Sequence, residues 1–386
     1  MTSDRCAGEA ERQKRVAIVQ AAHTVVIKVG TNVITTANGQ LDLERVRSLA
    51  EQVARIRDSG RRVALVSSGA IGAGMGQLGL SRRPSDLPHL QAAAAVGQSY
   101  LMAAYESCFR KHGCHTAQIL LTASDLESRT RYLNVRNTLL TLFEWNCVPI
   151  INENDTVSTA EIKFGDNDHL AALVTNLLQA PLLILLSNVE GLYRGDPGDP
   201  SAELIGLVER IDETVLTLAG TSRSALGTGG MRSKLRAARL VTSAGEAVLL
   251  AHGGRPGVLD ELMAGQLVGT LFLPGPAGWN ARQRWIGLAA RPRGRLIVDA
   301  GARQAVQKQR RSLLAIGVVE VVGSFSKGDV VVLQDTQGVE FARGLCNYSA
   351  ADLRRIQGLR SEEIVGLLGP RTYAEVIHRD NLVLVT

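Results

Sequence analysis

The sequence has no C-x-x-C pair and only five cysteines, Cys6, Cys108, Cys114, Cys147 and Cys346. An odd number without paired spacing argues against a disulfide framework and for a reducing compartment, so a cytoplasmic location is expected. No apolar run approaches the roughly 20 residues that span a bilayer, so no membrane helix is expected. Residues 1–16 carry Asp4, Arg5, Glu9, Glu11, Arg12, Lys14 and Arg15 and lack an apolar h-region, which argues against a signal peptide. Residues 1–22 therefore read as a disordered leader. A large charge excess is also missing. Lys and Arg total 43 against 37 for Asp and Glu, a net +6. That suits a small anionic ligand such as a nucleotide and does not by itself point to nucleic acid. Cys108, His112, Cys114 and His115 lie close together, but their spacing matches no zinc pattern.

What is present is a globular chain of 386 residues, 45% hydrophobic, long enough for two domains. Continuous apolar runs begin near positions 24, 62, 117, 147, 181 and 247 and alternate with helical patterns such as Leu43, Val46, Leu49, Val53 and Ile56. Runs of this kind predict an α/β three-layer sandwich whose mostly parallel central sheet is covered on both faces. Residues 23–274 form this catalytic domain. The Pro- and Gly-rich stretch 275–291 reads as a linker. From 292 to 386 short β runs separated by turns predict a small β-barrel domain.

The polar residues cluster where such runs end. Residues 150–168 follow a buried strand and hold Asn152, Glu153, Asn154, Asp155, Glu161, Lys163, Asp166, Asn167 and Asp168. In an open α/β sheet ligands bind at that edge, and short amides and carboxylates suit a small zwitterion. The alternative is an Asx-turn loop that satisfies its own backbone. Lys28 sits near the end of the first strand, where an unpartnered charge is costly. Ser67-Ser68-Gly69 joins a strand to a helix start, a place that favours anions. Gly227-Thr228-Gly229-Gly230-Met231-Arg232-Ser233-Lys234 lacks the Walker spacing but offers bare amides, a helix N-terminus and a lysine. Gly74-Met75-Gly76-Gln77-Leu78-Gly79 matches G-x-G-x-x-G, yet it lies well past its strand, so a dinucleotide site is not expected.

Four stretches together resemble the amino acid kinase family: I-K-V-G-T from Ile27, V-S-S-G-A-I from Val66, I-N-E-N-D through G-D-N-D ending at Asp168, and G-T-G-G-M-R-S-K ending at Lys234. A-A-V-G-Q, Ala94 through Gln98, and E-G-L-Y from Glu190 add to it. The third stretch resembles the branch that phosphorylates L-glutamate. Residues 292–385 resemble a PUA domain. The resemblance implies that ATP and L-glutamate give ADP and γ-glutamyl phosphate at the start of proline synthesis. It implies that Lys28, Lys234 and Asp168 are catalytic. It implies that Ser68, Gly69, Asn152, Asp155, Asp166 and Asn167 serve glutamate. The nucleotide would meet Lys28, Ser187, Asn188, Thr228, Gly229, Gly230, Met231, Arg232, Ser233 and Lys234, with Mg2+ carried by the ATP phosphates and no protein metal site.

The resemblance also implies inhibition by proline through the glutamate site and a homo-oligomer, dimer or tetramer. Two positions depart from the family: Asn188 stands where many members have Asp, and Leu90 where a lysine is common. Two other readings remain. One keeps the fold and changes the acceptor to another amino acid or a carbamate-like anion. The other makes the C-terminal domain an RNA binder through Arg343, Arg354, Arg355 and Arg360, although Phe325, Phe341, Tyr348 and Tyr373 are scattered and form no stacking platform.

Overall fold

The computed structural model describes residues 2–158, 167–219, 230–276, 278–369 and 373–385. The chain divides into two units, residues 1–126 with 130–278, and residues 279–386 with 127–129.

The first unit is built on an eight-stranded sheet. Its strands are β1 (Thr24–Val29), β2 (Arg62–Ser67), β3 (His115–Leu121), β4 (Cys147–Glu153) and β5 (Leu182–Ser187). After a two-stranded hairpin of β6 (Leu192–Arg194) and β7 (Glu203–Ile205) come β8 (Leu207–Val208), β9 (Ala247–His252) and β10 (Thr270–Phe272). The order across the large sheet is β3-β4-β2-β1-β5-β9-β10-β8. Every neighbouring pair is parallel except β9 with β10. All six residues of β1 and of β5 are buried, as expected of central strands covered on both faces. The chain leaves β1 for β2 on one side and later returns to β5 on the other. The strand ends beside β1 therefore flank a topological switch point, where open sheets bind ligands.

Register brings the polar strand ends level. Lys28 pairs with Val66 of β2 and Leu185 of β5, and Val66 pairs with Ile151 of β4. Gly69 follows β2 with φ 103°, a left-handed conformation that favours glycine, and turns the chain into the helix Ala70–Gln77. This helix crosses the long helix Leu87–Phe109 almost backbone to backbone. A Cβ on Gly97 would come within 1.8 Å of the Ala70 carbonyl oxygen, and one on Gly74 within 1.8 Å of the Ala93 oxygen. The G-x-G-x-x-G run thus starts at a glycine required for helix packing.

The first residues do not form the expected disordered leader. Thr2–Ala21 is a helix, and Arg15 is only 2% exposed. Its guanidinium donates to the carbonyls of Val268 at 2.6 Å, Gly206 at 2.8 Å, Gly269 at 3.0 Å and Gln266 at 3.3 Å. Glu11, one turn earlier, pairs with it at 2.9 Å. Burial lowers the pKa of Arg15, and the Glu11 contact works against that shift. The carbonyls lie just ahead of β8 and β10, so the helix completes hydrogen bonding at that edge of the sheet.

The second unit has a five-stranded, antiparallel-rich sheet of β11 (Gly294–Val298), β12 (Val318–Gly323), β13 (Val330–Gln334), β14 (Glu340–Leu345) and β15 (Leu382–Leu384), in the order β12-β11-β13-β14-β15. Leu296, Val298, Leu333, Phe341 and Leu353 belong to its own core. Part of the stretch expected as linker is structured and belongs here. Asn280 caps the short helix Ala281–Arg284, and Trp285 and Ile286 are buried. Of the two tryptophans in this stretch, Trp285 is buried and Trp279 half-buried. Among the described residues no helix is long and apolar enough to cross a membrane.

Replacing Arg15 with Leu removes the guanidinium donor from four carbonyls, of which Gly206 and Gln266 keep a main-chain N–H. The expected loss is about 2–4 kcal/mol in the stability of the first unit, read as a lower denaturant midpoint of the intact chain. An unchanged midpoint would mean that the Arg15 contacts add nothing to stability.

Candidate active site

Three elements converge on one carboxylate. Asp168, fully buried, stands in the first turn of the helix Asn167–Leu178. The Lys28 ammonium at the end of β1 lies 2.7 Å from Asp168 Oδ1. The Lys234 ammonium, one turn into the helix Met231–Ser243, lies 3.1 Å from Asp168 Oδ2. The Ser233 hydroxyl is 2.9 Å from the same Oδ2 and 2.9 Å from the Gly230 carbonyl oxygen. Both lysines are buried, at 4% and 6% exposure. The two ammoniums bring positive charge together at the strand ends, around one carboxylate. Such a charge is stabilised by an anion and is otherwise costly. The arrangement is therefore a built anion site at the switch point of the sheet.

A second cluster adjoins it through the preceding residue. Asn167 Nδ2 donates to Ser68 Oγ at 2.8 Å and to Asn152 Oδ1 at 2.9 Å. Asn152 Oδ1 also accepts from the Glu153 N–H at 2.9 Å, and Asn152 Nδ2 donates to Gln98 Oε1 at 3.0 Å. Asn154 N–H donates to the Leu121 carbonyl, and Asp155, half-buried, occupies the turn that follows. Ser158 donates to Glu153 at 2.6 Å and accepts, through its carbonyl, the Gln91 side-chain amide. The opposite side of the sheet centre ends in Ser187, buried, and Asn188, exposed, whose side chains meet at 3.3 Å.

The expected site residues fall into these groups. Lys28, Asp168, Ser233 and Lys234 are together, as are Ser68, Asn152 and Asn167, with Gly69 at the turn beside Ser68. Gly230 and Met231 open the lysine helix, and Arg232 points to solvent. Asp166, Thr228 and Gly229 lie outside the described residues. Gln98 was not foreseen as a site residue. Its signal in the sequence is an amide that follows the alanine run of a largely apolar helix. Among the described residues no group of three or more His, Cys, Asp or Glu could hold a metal ion, and both Asp168 oxygens already face cations.

Residues 23–252 match the amino acid kinase family model, and residues 294–368 match the PUA domain model. The chain belongs to the amino acid kinase family. It is similar to proteins named glutamate 5-kinase over nearly its whole length. The relative from Rhodopirellula baltica is 48% identical over 369 residues, covering 95% of each chain. The relative from Geobacter sulfurreducens is 49% identical over 372 residues, covering 96% of this chain and 100% of its own. The relative from Pelobacter propionicus is 47% identical, with coverage of 94% and 97%. The chain is accordingly a kinase, with a PUA domain following its catalytic domain.

Asp168→Asn in this kinase removes the carboxylate that both buried ammoniums face. The expected loss is about 3–5 kcal/mol of stability. Adding Lys28→Met should recover part of it, because the two changes share one interaction. Denaturant unfolding of the single and double variants measures both effects.

His169, the next residue, is held below the usual histidine pKa by burial. Below about pH 6.5 the unfolded chain takes up a proton that the folded chain resists, so stability falls with pH. His169→Gln should flatten that part of the stability profile between pH 7 and 5 and leave the pH 7 value nearly unchanged. An identical acid slope in the variant would remove His169 as its source.

Proposed function

We propose that this kinase transfers the γ-phosphoryl group of ATP to the γ-carboxylate of L-glutamate, giving ADP and γ-glutamyl phosphate, the first step of proline synthesis. The observation that carries this reading is the Asp168 carboxylate held between the Lys28 and Lys234 ammoniums. The near full-length similarity to proteins named glutamate 5-kinase supports the choice of acceptor.

A carboxylate is already a nucleophile, so the reaction needs no general base. It needs in-line positioning and positive charge around the transferring group. Lys28 approaches from the strand end and Lys234 from the helix. Asp168 keeps their charges apart and aimed, and Ser233 supports its second oxygen. The positive charge of the two lysines grows in value as charge spreads over the phosphoryl oxygens in the transition state. Ser68, Gly69, Asn152, Asp155 and Asn167, with Asp166, form the glutamate subsite. Ser187 and Asn188 at the end of β5, with residues 228–234, form the nucleotide subsite. Mg2+ suits this site as an ion borne by ATP phosphates and water, since the Asp168 carboxylate is occupied by lysines. It supplies charge neutralisation on the phosphates. The same reading makes proline a competitor for the glutamate subsite, the active form a homo-oligomer and the location cytoplasmic.

Hydroxylamine traps an acyl phosphate as a hydroxamate. The intact protein with ATP, Mg2+ and L-glutamate should form hydroxamate, and aspartate or N-acetylglutamate should not replace glutamate. Lys234→Ala should stay folded and lose at least about 100-fold in kcat. Hydroxamate from another acceptor alone would reassign the substrate, and near-normal kcat in the variant would take Lys234 out of the chemistry.

A further inference from the structure

Gln98 projects from the helix Leu87–Phe109 into the polar layer behind the acceptor cluster and is 8% exposed. A side-chain amide can be turned over, exchanging its donor and acceptor, whereas main-chain groups cannot. Two main-chain groups anchor the chain of amides here. The Glu153 N–H can only donate, so Asn152 must turn its oxygen toward it. The Ser67 carbonyl can only accept, and Asn167 Nδ2 reaches it at 3.5 Å as well as Ser68 Oγ and Asn152 Oδ1. With its oxygen committed, Asn152 must turn its NH2 to Gln98, and Gln98 must answer with Oε1.

This direction leaves two buried atoms without a hydrogen-bond partner: Asn167 Oδ1, an acceptor, and Gln98 Nε2, a donor. Buried amide atoms are normally satisfied, so an orphan beside a site marks a place for a ligand group. Were Asn152 to turn over, its NH2 would face the NH2 of Asn167. Asn167 would then turn as well and present a donor in place of its free oxygen.

We propose that Gln98 is a positioning residue of the acceptor subsite: its side-chain oxygen accepts from Asn152 Nδ2, holds Asn152 in the orientation that the Glu153 N–H selects, and thereby keeps Asn167 offering an oxygen to an N–H donor of the substrate. This rests on reading the site as an amino-acid carboxylate kinase, where the donor is the substrate's α-ammonium. Gln98 touches no reacting atom in this account and acts only through Asn152 and Asn167.

The test compares Gln98→Leu, Gln98→Met and Gln98→Glu in the full-length chain by hydroxamate formation. Leu and Met remove the acceptor. The KM for glutamate should rise about tenfold or more, while the KM for ATP stays within about twofold. Glu restores an oxygen to Asn152 and should recover most of the loss, whereas a purely space-filling role would let Met, of similar length and volume but without the acceptor, recover it as well. Either apolar variant, if folded, with an unchanged glutamate KM overturns the proposal. So does a Glu variant as impaired as the Leu variant, which also decides the matter if both apolar variants fail to fold. A wild-type protein inactive on glutamate overturns the functional reading along with this proposal, whereas an active wild type puts Gln98 alone at stake.

Discussion

One shared carboxylate holds the catalytic unit's polar centre together. Asp168 accepts a lysine on each oxygen, at 2.7 and 3.1 Å, and is removed from water. Each lysine comes from a different element, so the carboxylate ties the end of β1, the helix Asn167–Leu178 and the helix Met231–Ser243 to one point. Two cations converging on that carboxylate make the site receptive to a polyanion. The surrounding strands β1 and β5 are fully buried, and apolar apart from Thr24, Lys28 and Ser187.

Consecutive residues link the two halves of the site. Asn167 and Asp168 occupy adjacent places in a helix, about 100° apart around its axis. One side chain therefore faces the amide cluster while the next faces the lysines. A single helix start registers the acceptor subsite against the charge that would meet the phosphoryl group. The amide cluster in turn leans on the glycine crossing of Gly74 and Gly97, which brings the helix bearing Gln98 close to the β4 end. Larger residues at that crossing would lift Gln98 from Asn152, because packed backbones have no slack to absorb an overlap.

Much of the architecture was legible in the sequence. Continuous apolar runs announced buried parallel strands, and small or amide residues at their ends marked the ligand edge. Lys28 stood out as a charge in an apolar run, and Lys234 as a lysine one turn into a Gly-opened helix. Other residues misled for physical reasons. Arg15 stood in a charged stretch that looked solvated, because its partners are carbonyls some 190 to 250 positions away. Residues 279–286 looked like linker because Pro and Gly punctuate the sequence just before them, yet their tryptophan and isoleucine are core. Gln98 was hidden by its setting, an amide just past the alanine run of a largely apolar helix.

The sequence by itself determined the strands, the helices and the chemical character of each strand end, because burial and backbone preference act over neighbouring residues. It also carried the family, since the motif residues are close together within each stretch. The tertiary structure alone decided which of those polar ends meet, that two lysines share one carboxylate, and which way the amide chain points. These depend on strand order, register and helix crossing, and they join groups far apart in the chain whose pairing leaves no local pattern to read.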